Sequence, residues 1–109
     1  MRVFWALVVV LGCVGPAFAV SKAQVDRYIA LDEAFDQRMK RPVLSSDDRR
    51  KRANCILSRF EAAKGQDGVA DLLVLMRVLS QGVAFDDPTV EAFTQAHGPV
   101  YQRTLRDCR

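Results

Sequence analysis

The sequence predicts an all-helical fold: a small bundle of four to five short helices behind a cleaved N-terminal signal peptide, with one disulfide. Three observations predict it. Apolar residues recur at three- and four-residue spacing along the chain beyond residue 21, and helix start and stop residues punctuate that pattern at short intervals. Within the most apolar segment, residues 69–81, residues 72–78 would be the one candidate for a buried strand, but they show no alternation and have no second strand to pair with.

The first element is an export leader. Fifteen of the first 19 residues are apolar. Arg2 supplies the positive start, residues 3–11 the apolar run, Gly15-Pro16 a helix breaker, and Ala17-Phe18-Ala19 the small-x-small pattern read by a signal peptidase. Cleavage is expected after Ala19. The run before Gly12 is about half the roughly 20 residues needed to span a bilayer, so a retained anchor is the weaker reading. Leu11-Gly12-Cys13 offers a second alternative, an imperfect lipobox in which Cys13 would carry a lipid, although residues 14–19 would then form an apolar mature start.

Removing the leader leaves 90 residues, 39 of them apolar, with 15 cationic and 13 acidic side chains. This is enough for one small core and too little for a dinucleotide-binding sheet, a barrel or a second domain. One domain is expected over residues 20–109. Two cysteines remain, Cys55 and Cys108, and in an exported chain they read as a single disulfide. A catalytic thiol would want a CxxC pair or an activating histidine, and neither is present in sequence.

Within that domain the first helix is expected from about residue 22 to 40, capped by Ser21 and stopped by Pro42. Its stripe is Val25, Tyr28, Ile29, Phe35 and Met39, interrupted by Asp32. A second helix starts at Ser45 or Ser46, with Asp47 and Asp48 in its positive first turn. It carries Ala53, Ile56, Leu57, Phe60 and Ala63 on one face and stops at Gly65 near residue 64. A third, over residues 69–81, is apolar nearly all round and belongs in the middle, capped by Asp67 and ended by Gly82. Asp86-Asp87-Pro88 starts a fourth that places Val90, Phe93 and His97 on one face. Gly98-Pro99 then predicts a break before a last short helix carrying Tyr101, Thr104 or Leu105, and Cys108.

Parts for chemistry are scarce. His97 is the only histidine, and the chain has no GxSxG elbow, no Cys-His pairing signal and no histidine pair for zinc. No cofactor or metal is expected. The acid pairs Asp32-Glu33, Asp47-Asp48 and Asp86-Asp87 lack the alternation of a metal loop, and the latter two are better explained as helix starts. Glu33, Glu61 and Glu91 fall on polar faces without a motif.

Charge is the uneven feature. Residues 38–52 hold seven cations, Arg38, Lys40, Arg41, Arg49, Arg50, Lys51 and Arg52, against two acids, while the rest of the mature chain carries eight cations and eleven acids. That segment is a candidate patch for an anionic partner. It contains no interleaved aromatics for stacking bases, and the chain is exported, so nucleic acid is not expected. The primary expectation is a small exported protein, periplasmic or secreted, that acts by binding a protein partner as an accessory, inhibitor or chaperone-like factor, and is not an enzyme. The alternatives are a peripheral protein that binds an anionic membrane surface through residues 38–52, and an enzyme built around His97.

Overall fold

The computed structural model describes residues 20–109, and within them the chain is helical with no strands. The leader, its cleavage after Ala19 and the lipid alternative at Cys13 lie outside the described residues. There are three helices: α1 (Lys22–Met39), α2 (Ser46–Ser80) and α3 (Pro88–Asp107). Three helical spans stand where four to five helices were expected, one of them divided by a non-helical residue, and the difference has two local causes.

The first is Gly65. Its φ 75° and ψ −176° are non-helical, in a backbone region essentially reserved for glycine, so the first arm ends there as expected and a second helical arm follows directly across the kink. Two arms, residues 46–64 and 66–80, result. A straight helix would hold positions 49 and 80 about 46 Å apart at 1.5 Å per residue. Yet Arg49 bonds Asp36, and Arg38, two residues on, donates to the Ser80 carbonyl at 3.2 Å. Both ends of α2 therefore return to the end of α1, and the bend folds the two arms back.

The second cause is Gly98-Pro99, where the expected break is absent and α3 runs through the proline. A proline restricts the preceding residue chiefly through that residue's Cβ, and Gly98 has none. The carbonyl of Gln95, deprived of its donor by Pro99, belongs to an exposed residue. One residue on, the Lys64 ammonium donates to the Ala96 carbonyl at 3.0 Å and ties the bend of α2 to α3.

Capping follows the sequence at the starts of the three helices, whereas Asp67, expected to cap a helix of its own, lies within α2. Ser21 and Gln24 form a reciprocal capping box, with the Gln24 amide donating to Ser21 Oγ and the Ser21 amide to Gln24 Oε1. Lys40 closes α1 in the left-handed conformation at φ 55°. Ser45 Oγ accepts from the Asp48 amide at the start of α2, and Asp87 Oδ1 accepts from the Thr89 amide ahead of Pro88 in α3.

The core is one cluster drawn from all three helices. Ile56, Leu57, Phe60, Val69 and Leu72 are fully buried, and Phe60 at the centre meets Phe93, His97 and Tyr101 at ring distances of 5.5 to 6.1 Å. Val25 and Tyr28 close it from α1, and Val90 and Phe93 from α3. Cys55 and Cys108 are joined, with Cα atoms 5.8 Å apart, so the last turn of α3 is fastened to the first arm of α2.

Three expectations about faces need correcting. The buried stripe of α1 is Val25, Tyr28, Asp32 and Asp36, whereas Met39 is 45% exposed. Ala63 faces solvent, and the second arm of α2 is not buried all round, since Val74 is exposed.

Candidate functional site

The junction between α1 and α2 concentrates the charge of the molecule. Arg49, only 4% exposed, donates from Nη1 to Asp32 Oδ2 at 2.5 Å and to Asp36 Oδ2 at 3.0 Å. Asp32 and Asp36 are one helical turn apart on α1, so their carboxylates share a face, and Arg49 enters between them from the first turn of α2. Burial, then the neighbouring charge of Asp36, pushes the Asp32 carboxyl above the usual carboxylate range, against the pull of Arg49. Burial pushes the Arg49 guanidinium down, yet its bonds to Asp36 and Asp32 outweigh that and hold it above its ordinary value.

This cluster removes Arg49 from the cationic segment that the sequence presents. Four of the other six cations are also disposed by the fold. Arg50 reaches Asp26 at 3.0 Å, and that exposed carboxyl is lowered by hydrogen bonds from Lys22 and Arg50. Arg38 joins α1 to the end of α2 through Ser80. Arg41 lies over the Phe35 ring at 5.2 Å, and Arg52 is half-buried beside Tyr28, Asp32 and Tyr101. Lys40 and Lys51 are exposed, with no ion pair among the described residues.

Between the cations of α1 and those of α2 runs the connection 40–45, whose two apolar residues face solvent. Val43 is 85% exposed and Leu44 36%. Reading the sequence for stripes passed over these residues, because Val43-Leu44 belongs to no helical face. Their position between Pro42 and the Ser45 cap was the available signal.

His97 occupies a different place, on α3 against the aromatic core. Its Nε2 lies 2.8 Å from Asp71 Oδ2, while Nδ1 is buried with no hydrogen-bond partner among the described residues. The ring packs edge-on to Phe60 and tilted to Phe93, at 5.5 and 5.0 Å. An open groove of about 430 Å³ runs beside it between the second arm of α2 and α3, lined by Asp71, Val74, Leu75, Thr89 and Phe93 among others. The only hydrogen bond of His97 among the described residues is to the exposed Asp71 carboxylate.

Other acids settle into structural roles. Glu61, expected on a polar face, is 4% exposed and accepts from the Gln66 amide across the bend. Asp86 and Asp87 stand before α3, and Asp47 and Asp48 in the first turn of α2, as the capping reading expects. Among the described residues no group of three His, Cys, Asp or Glu side chains converges to hold a metal ion, and no helix is long and apolar enough to cross a membrane. No known protein family, curated protein or solved structure matches this chain.

Proposed function

We propose that this is a small exported protein that acts by binding rather than by catalysis, and that its docking face is the junction of α1 and α2 against an anionic phospholipid surface. The observation that carries this reading is the pairing of Val43 and Leu44, exposed in a short capped connection, with the free cations Lys40 and Lys51 on either side of it. Exposed apolar side chains flanked by cations suit an interface whose outer layer is negative and whose interior is oily. Cations near an anionic leaflet gain about 1 kcal/mol each. Moving the Val43 side chain out of water adds about 1 to 2 kcal/mol by area.

The same features disfavour other partners. An acidic protein would satisfy the cations, but it would leave the exposed Val43 side chain without an oily interior to enter. Arg49 is buried in its ion cluster and Arg38 is engaged with the Ser80 carbonyl, so the attraction is modest and depends on the apolar pair.

Co-sedimentation with vesicles tests the reading. The disulfide-bonded protein without its leader should pellet with vesicles containing phosphatidylglycerol and not with pure phosphatidylcholine. Binding should fall as salt shortens the screening length towards about 3 Å at 1 M. A double substitution, Val43→Asp with Leu44→Asp, sits on exposed residues and should abolish pelleting without altering helicity. Equal binding to neutral vesicles, or unchanged binding by the double variant, would overturn the proposal.

A further inference from the structure

A second feature lies beside the ion cluster, where α1, both arms of α2 and α3 meet under the connection 81–87. It is a cavity of about 320 Å³, at the small end of ligand-sized sites, which run from about 300 to 1,000 Å³. Its walls are of two kinds. Met76 and Leu79 from the second arm of α2, with Leu105 of α3, make an apolar floor, and Phe85 of the connection stands at its edge. Arg41 and Arg52 enter from the α1–α2 side, and Tyr28 and Tyr101 supply hydroxyls.

The charges do not cancel within the cavity. Its single carboxylate lining residue is Asp32, and that group already accepts from Arg49 at 2.5 Å. Arg52 is half-buried and makes no salt bridge or hydrogen bond among the described residues; the nearby negative charge it feels is that of Asp32, whose carboxylate is already bonded to Arg49. Arg41 is steadied by the Phe35 ring below it. Burial raises the Tyr101 hydroxyl to about 12, so it stays protonated and able to donate at neutral pH. At the mouth, Phe85 is 64% exposed, a large aromatic side chain left in water beside an apolar floor.

We infer that this cavity binds a small single-chain amphiphilic anion, its carboxylate or phosphate head between Arg41 and Arg52 and its apolar body along Met76 and Leu79 under Phe85. Two guanidinium groups arriving from different elements suit the several acceptor oxygens of such a head, and they reject a cation of the same shape. The apolar floor selects a chain over a bare inorganic anion. Val43 and Leu44 do not line the cavity, although Arg41 borders both it and the connection, so anion binding is proposed separately from membrane docking.

Calorimetric titration of the disulfide-bonded protein with decanoate, monodecyl phosphate and decyltrimethylammonium, each below its micelle concentration, tests this. Saturable binding of one or both anions is expected, and the tighter of the two identifies the head group. The cation should bind at least about tenfold more weakly. Arg52→Gln and Phe85→Ala should each weaken anion binding about tenfold. Phe85→Ala changes an exposed residue of a connection and leaves the fold intact should Arg52→Gln not. Val43→Asp with Leu44→Asp should leave anion binding unchanged, which separates a failure here from a failure of vesicle docking. Non-saturating uptake, equal binding of the cation, or undiminished binding by Phe85→Ala would overturn the inference.

Discussion

Arg49 decides more than any other single side chain. It holds apart two carboxylates on one face of α1 that would otherwise confront each other in a buried setting. Removing one partner of a buried ion pair typically costs about 3 to 5 kcal/mol, because the abandoned charges stay desolvated. Arg49→Met should therefore destabilise by about that amount at neutral pH. The dependence on pH has a definite sign. The Asp32 carboxyl already titrates above its ordinary range, through burial first and Asp36 second. An acid raised in this way contributes stability that is complete below its unfolded pKa and lost as pH rises through its folded one. Without Arg49 the rise is larger, so the deficit of the variant should widen from about pH 4 to pH 7 and narrow on acidification. Urea unfolding of both proteins at the two pH values reads this directly, and a deficit independent of pH would contradict it. Asp26 works in the opposite sense, lowered by its bonds to Lys22 and Arg50. Being exposed, it should contribute little.

At the level of elements, the bend in α2 is what lets a single long helix serve as two faces of a core. Gly65 has open space where a Cβ would go, so its requirement is purely one of backbone conformation at φ 75°. Gly68 is the reverse case, since a Cβ there would meet Lys64 Cβ at 2.3 Å. Gly65→Ala should cost about 1 to 3 kcal/mol from strain alone, with no change in side-chain packing. Thermal unfolding followed by circular dichroism checks this, and an unchanged midpoint would mean that the bend is imposed by packing rather than permitted by glycine. The stop residue at 65 was legible because Gly follows a periodic run. Its outcome as a bend was not, because that depends on Arg38 and Arg49 drawing both ends of α2 to α1 through contacts 42 and 13 residues apart. The same limit explains Asp32. It reads as a flaw in an apolar stripe until its partner is known, although Asp36 one turn on was the visible hint that the stripe changes from oily to acidic.

Across the whole molecule, caps, helical class and the Cys55–Cys108 bridge were legible, since each rests on local residue chemistry or on elimination among two cysteines. The faces that the connections expose were not, because Val43 and Phe85 lie outside any periodic stretch and acquire meaning only from the cations and cavity beside them. The bridge also supports the most global prediction. It joins residues 53 apart, so reduction frees a long loop in the unfolded chain and should remove about 4 kcal/mol in the chain-entropy treatment. A domain of this size has about 5 to 13 kcal/mol in total, so the loss is a large fraction of its stability. The consequences should be uneven. The α3 end is fixed by Cys108 and by Thr104, whose hydroxyl bonds its own helix at the Val100 carbonyl, whereas Phe93 packs in the aromatic centre independently of the sulfurs. In a Cys55→Ala, Cys108→Ala variant the urea midpoint should drop, and amide exchange should accelerate most over residues 104–108 while residues 56–60 and 90–93 keep their protection relative to the new global stability. Uniform acceleration at every amide would show that the clamp acts only through the unfolded chain and does not anchor the tail of α3. An unchanged midpoint would show that the three-helix core holds without it.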